Sequence, residues 1–189
     1  MTTGILGGTF DPPHNGHVAL ARAALLELPI DRLVVLVAAR PGHRGDVLAG
    51  PDDRLALARV AFDGLALEVD LDPHPFTADS VRGGRFGDAI FVVGADEGRD
   101  FPDWKEPDEV LRWVRLAVGT RSGYPPPDLE RYGDRILSFE LDSPAVSSSD
   151  LRERISKGEP VSGLVPEAVL REIEERGLYG YTGRKQERT

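Results

Sequence analysis

Apolar residues along this chain alternate between two rhythms. Short runs at 2–7, 33–39, 65–71, 89–94, 113–119 and 135–141 predict strands. Two of these, Leu-Val-Val-Leu-Val-Ala-Ala at 33–39 and Ala-Ile-Phe-Val-Val-Gly at 89–94, are continuous, as suits strands covered on both faces of a parallel sheet. Between the runs the period lengthens to that of a helix. Val18, Ala21, Leu25 and Leu28 predict a helix over 18–28 that Pro29 stops, and Leu55, Ala58 and Phe62 predict one over 51–62 opened by Pro51. A short helix is expected over 77–82, another over 106–112, and two close the chain at 150–157 and 166–176. The stretch 96–104 reads as polar with aromatic insertions, and 123–134, with three consecutive prolines, as a surface loop. Strands alternating with helices predict a Rossmann-like, doubly wound α/β fold: a mostly parallel sheet, flanking helices and two C-terminal helices.

Composition narrows the class. The 189 residues suit one domain, expected over 1–181, with a loose polar tail at 182–189. Apolar residues at 40% and charged residues at 29% suit a globular chain. The absence of cysteine excludes disulfides, thiol catalysis and thiolate-held zinc. No run has membrane-spanning length and the start lacks a signal-peptide pattern, so a cytoplasmic protein is expected. A net charge of −9 disfavours nucleic acid and anionic membranes as partners, while leaving room for a local anion site and for a homo-oligomer.

Candidate chemistry concentrates in Gly7-Gly8-Thr9-Phe10-Asp11-Pro12-Pro13-His14-Asn15-Gly16-His17, where the first strand hands over to the first helix. Glycines let a backbone approach a ligand, prolines fix the loop, and phosphates bind at helix N-termini on the carboxyl edge of such a sheet. The two histidines could instead ligate a metal with Asp11, His43 or His74, or simply cap the helix; binding of a triphosphate accounts for glycines, prolines and histidines together. No metal ligand is assigned. Neither a Walker loop nor a nucleophile elbow is present, and the glycine-rich 83–87 follows no strand. A second anion station is Ser147-Ser148-Ser149, which opens a helix carrying Arg152 in its first turn; one serine would suffice as a cap. Asp96 and Arg121 each follow a strand and fall on the same carboxyl edge, where capping and solvated-loop roles compete with binding. Trp104, among polar residues, suits a stacking wall or a packing role.

The first motif resembles that of the His-x-Gly-His nucleotidylyltransferases, and most closely the bacterial nicotinate mononucleotide adenylyltransferases. Pro41-Gly42-His43-Arg44, Phe76-Thr77-Ala78-Asp79-Ser80, Val93-Gly94-Ala95-Asp96, Phe101-Pro102-Asp103-Trp104, Thr120-Arg121-Ser122-Gly123-Tyr124 and Ser147 to Arg152 extend the resemblance in order. It implies adenylyl transfer from ATP to nicotinate mononucleotide, giving nicotinate adenine dinucleotide and pyrophosphate in NAD biosynthesis. It implies that His14, His17 and Arg152 act on the phosphates, and that Gly8, Thr9, Phe10, Gly16, Ser147, Ser148 and Ser149 line the ATP site. Arg44, Thr77, Gly94, Asp96, Trp104 and Arg121 would then serve the acceptor, and Mg²⁺ would be held mainly by ATP phosphates. This chain departs from the family at Phe76, where tyrosine is usual, at Pro75, where serine is common, and at Gly42, which replaces a proline. Nicotinamide mononucleotide and phosphopantetheine are the alternative acceptors, and a non-catalytic nucleotide sensor is the alternative of another class.

Overall fold

The computed structural model describes residues 1–42, 47–66, 68–121 and 123–181. In order, the elements are β1 (Thr3–Gly8), α1 (Asn15–Glu27), β2 (Arg32–Ala38), α2 (Pro51–Ala61), β3 (Glu68–Asp72), α3 (Thr77–Val81), β4 (Ala89–Gly94), α4 (Ala95–Asp100), α5 (Pro107–Trp113), β5 (Arg115–Arg121), β6 (Ile136–Leu141), α6 (Ser148–Ser156) and α7 (Glu167–Arg176). Short 3₁₀ turns lie at Phe101–Asp103, Glu130–Arg135 and Leu178–Gly180.

The six strands stand in the order β3-β2-β1-β4-β5-β6, and every pairing is parallel. The expected doubly wound sheet is therefore parallel throughout. The chain starts at the centre, winds outward to β3, then crosses to β4 and winds the other way. The carboxyl ends of β1 and β4, at Gly8 and Gly94, thus flank the topological switch point, where doubly wound sheets bind ligands.

Successive strand residues face opposite sides, so a sheet packed on both sides needs apolar residues at every position. Leu6, Val35, Val37, Ile90, Val92 and Ala117 join the core formed with α1, α2, α6 and α7. Their neighbours Ile5, Val34, Leu36, Phe91, Val93, Leu116 and Val118 join the core formed with α3, α5 and Phe101. The rule relaxes at the two edges: Glu68 and Asp70 of β3, and Ser138 and Glu140 of β6, point into solvent.

Several predicted boundaries move. Residues 96–104 form α4 and a 3₁₀ turn, helices too short to show a period; acids in the first turn of α4 and Arg99 in its last suit the helix dipole. Trp113 ends α5 rather than opening β5, its indole N–H donating to Glu109 one turn earlier at 2.9 Å. Leu65 and Ala66 donate to the Phe62 carbonyl, so they finish the exit from α2 and β3 starts at Glu68. The proline loop gains the 3₁₀ turn Glu130–Arg135. The buried face of α2 holds Arg54, Leu57, Ala58 and Ala61, leaving Leu55 half-buried. The tail 182–189 lies outside the described residues. Among those residues no helix is long and apolar enough to cross a membrane.

Candidate active site

The chain leaves β1 at Gly8, turns through Phe10 with φ of 52°, passes a cis Asp11–Pro12 bond and enters α1 with His14 as its N-cap residue. A Cβ on Gly8 would stand 2.8 Å from Phe10 Cζ, so this glycine is required by the ring folded beneath the loop. Phe10 is buried and meets His17 edge-on at 5.1 Å and Phe62 at 5.3 Å. The His14 and His17 rings stack with centroids 3.7 Å apart. The His14 backbone N–H donates to His17 Nδ1 at 3.2 Å, which places the proton of a neutral His17 ring on Nε2. His14 is buried.

Burial lowers the His14 pKa from 6.5 to about 4. The unfolded chain then binds the extra proton between those values, so this contribution is fully present above pH 6.5 and is lost as pH falls towards 4. Unfolding free energy should drop by on the order of 3 kcal/mol across that window from this group alone. Urea titrations at several pH values check it: a His14→Gln variant should give a flatter profile, and parallel profiles would contradict the assignment.

The second anion station docks onto this loop. Ser147 caps α6, accepting from the Asp150 N–H at 3.1 Å, as the capping alternative required. Ser148 Oγ donates to the Pro12 carbonyl at 2.9 Å. Arg152 Nη1 donates to the Asp11 carbonyl at 2.8 Å, and Nη2 donates to Ser149 Oγ at 3.4 Å. The structure therefore brings His14, His17, Gly8, Thr9, Phe10, Gly16, Ser147, Ser148, Ser149 and Arg152 into one assembly, with the N-termini of α1 and α6 converging on it. Two helix starts and a guanidinium suit a bound anion.

Beneath it lies a buried network that the sequence reading did not single out. Asp11 accepts from the Leu48 and Ala49 amides at 2.9 and 3.1 Å and from the Tyr179 hydroxyl at 2.8 Å, with Arg152 Nη1 at 3.7 Å. Arg54, 1% exposed, donates to the carbonyls of Ala49, Thr9, Ala38 and Ala39 at 3.1, 2.8, 2.7 and 3.1 Å. The one sequence sign of Arg54 was an arginine falling in step with Leu57, Ala58 and Ala61. Gly177-Leu178-Tyr179 favours the nicotinate branch by resemblance, but nothing local pairs Tyr179 with Asp11.

The acceptor residues are more dispersed. Thr77 opens α3, and Trp104 leans edge-on against Phe101 at 5.2 Å and Phe91 at 6.1 Å. Lys105 Nζ sits 4.8 Å from the Phe76 ring and pairs with Asp79 at 3.0 Å, linking the two segments. Gly42 donates to the Pro75 carbonyl, and a Cβ there would stand 2.6 Å from Phe76 Cε1, so the departures at 42 and 76 are sterically coupled. Buried Asp72 holds the connecting loop, accepting from the His74 amide, meeting its Nδ1 at 2.8 Å and taking the Ser80 hydroxyl. Gly94 caps α4; Asp96 is exposed and paired with Arg99, and exposed Arg121 donates to the Pro144 carbonyl at 3.3 Å. Arg44 lies outside the described residues, as does His43.

Among the described residues no three His, Cys, Asp or Glu side chains group as a metal site. Asp11, the carboxylate of the loop, already has both oxygens hydrogen-bonded. This donor set suits a Mg²⁺ ion carried by phosphate oxygens and water, the usual state of nucleotide-bound magnesium.

Comparison with known proteins gives consistent likenesses. The family model described as Cytidylyltransferase-like matches residues 5–154. The chain is 34% identical to the "Probable nicotinate-nucleotide adenylyltransferase" of Bordetella avium, over 93% of this chain and 96% of the relative. It is 32% identical to the protein of the same name from Dehalococcoides mccartyi, over 95% and 97%. A solved structure of Plasmodium falciparum nicotinic acid mononucleotide adenylyltransferase complexed with NaAD superposes with a TM-score of 0.77 at 15% identity, covering 95% of this chain and 98% of the other. At that identity the likeness is one of fold.

Proposed function

The chain belongs to the cytidylyltransferase-like family and, within it, to the nicotinate-nucleotide adenylyltransferases, and we propose that it transfers the adenylyl group of ATP to nicotinate mononucleotide, releasing pyrophosphate and forming nicotinate adenine dinucleotide in NAD biosynthesis. What carries this reading is the docking of the Ser147–Arg152 station on the histidine loop at the switch point. That arrangement suits a bound triphosphate. The relatives' names supply the acceptor, and the Plasmodium structure has the dinucleotide product named as its ligand.

In the proposed reaction an oxygen of the acceptor's 5′-phosphate attacks the α-phosphorus of ATP. The bond from that phosphorus to the bridging oxygen of the β-phosphate breaks, and its electron pair leaves on pyrophosphate. The attacking phosphate has a second pKa of about 6 and is already mostly dianionic at neutral pH, so no protein base is needed. The protein's work is to align two anions and to stabilise charge on the leaving group. His17 offers its Nε2–H, Arg152 its guanidinium, and α6 the amides of its first turn. Neutral His14 completes the cradle beside His17. Mg²⁺ arriving on the phosphates supplies further neutralisation of their charge. On the acceptor side, the start of α3 at Thr77 and the Trp104 ring would hold the pyridine, with Gly94, Asp96 and Arg121 serving its ribose and phosphate; a phosphate contact from Arg44 is proposed on the resemblance alone. ATP and the pyridine mononucleotide are thus its partners, and the cytoplasm is its proposed site of action.

Pyrophosphate release from MgATP, measured with each candidate acceptor in turn, tests the proposal. Release should be fastest with nicotinate mononucleotide. Equal rates with the nicotinamide form would overturn the acceptor assignment while keeping the reaction class. ATP binding without release on any acceptor would favour the sensor.

A further inference from the structure

Tyr179 lies in the 3₁₀ turn Leu178–Gly180 beyond α7, 168 positions from Asp11 along the chain. Gly177 ends α7 in the left-handed region, and Tyr179 itself has φ of 57°, a conformation that a bulky residue rarely adopts. The side chain is half-buried against the α1–α2–α7 core, while its hydroxyl reaches the Asp11 carboxylate at 2.8 Å. Burial and the charge of Asp11 push the phenol far above its ordinary range, so it remains an O–H donor.

Asp11 is where three segments meet. Its carboxylate takes the amides that follow the β2 loop, and its main-chain carbonyl takes Arg152 Nη1. Its neighbour Pro12 takes the Ser148 hydroxyl through its carbonyl. A shift of the Asp11 backbone, which the anchored carboxylate resists, would move the acceptor carbonyl for Arg152 and the entry to the His14–His17 stack together. From the C-terminal part of the chain the Asp11 carboxylate takes the Tyr179 hydroxyl as a hydrogen bond at 2.8 Å and has Arg152 Nη1 beside it at 3.7 Å.

We propose that Tyr179 is a positioning residue for ATP: by holding the Asp11 carboxylate it sets the histidine loop and the Arg152 guanidinium in the geometry that grips the triphosphate. The inference rests on the reading of that loop as the ATP site. It assigns the chain's last described turn to substrate recognition without contact with substrate.

Tyr179→Phe keeps the ring and removes the hydroxyl. Steady-state pyrophosphate release should show the KM for MgATP raised about tenfold, the scale of one hydrogen bond to a charged group. The KM for the mononucleotide should stay within about twofold, since no described hydrogen bond ties Thr77, Gly94, Asp96, Trp104 or Arg121 to Asp11. In a double-mutant cycle with Asp11→Ala, which removes both acceptor oxygens, the Tyr179 change should add nothing. Unchanged KM values, or equal rises for both substrates, would overturn the proposal and leave Tyr179 a packing residue. A wild-type enzyme with no MgATP-dependent release would instead sink the parent reading, so the two failures are distinguishable.

Discussion

Replacing His17 with alanine should lower turnover by about 10²–10³ while the chain stays folded. The magnitude is that of one preorganised donor removed from a developing anion. Geometry identifies the donor: His17 Nδ1 is committed to the His14 N–H, so Nε2–H is the end that can face a phosphate. The fold should survive because His17 is only half-buried, and the core beneath the loop is filled by Phe10 against Phe62. Loss of its contacts with the Phe10 and His14 rings should cost a few degrees in thermal midpoint at most. Pyrophosphate release and thermal unfolding on the same preparation separate the two effects. A fully active His17→Ala enzyme would remove the histidine from the mechanism.

Arg54→Met should have the largest effect on stability. The guanidinium is buried and satisfies carbonyls at the end of β2, in the first loop and before α2. Methionine fills much of the volume but returns none of those hydrogen bonds, and it leaves Asp11 without the nearby positive charge that Arg54 provides. Breaking such a buried charged network costs roughly 3–5 kcal/mol, against a total stability of roughly 5–15 kcal/mol for a typical domain. Urea unfolding should show the midpoint shifted far down with an unchanged slope. A loss below about 1 kcal/mol would mean that the carbonyls find other donors. Arg54→Lys should recover little, since a single ammonium cannot span carbonyls that a planar fork reaches together.

What could be read in advance follows from range. The strands at 33–39 and 89–94 announced themselves because a buried parallel strand writes its burial into every residue. The loop 7–17 was legible because glycine, proline and histidine cluster within one turn. α4 was missed because six residues carry less than two helical turns of pattern. Arg54 was hidden because its partners are main-chain carbonyls, which leave no trace in residue type. Tyr179 and Asp11 were unreadable as a pair because only the winding of the sheet brings the two ends together. Asp96 and Arg121 were placed on the correct edge, where the described structure gives each an ordinary surface partner.

The two outer strands of the sheet carry a consequence for life at high concentration. An open edge is a template on which another copy's strand can zip up. Here β3 presents Glu68 and Asp70 to solvent, and β6 presents Glu140, on a chain whose net charge is −9. Two copies meeting edge to edge would stack carboxylates against carboxylates. The backbone that invites a cross-β aggregate is thus fenced by acids at both ends of the sheet. Lysine substituted at Glu68 and Asp70 of one copy would turn that repulsion into attraction for the unmodified edge of another.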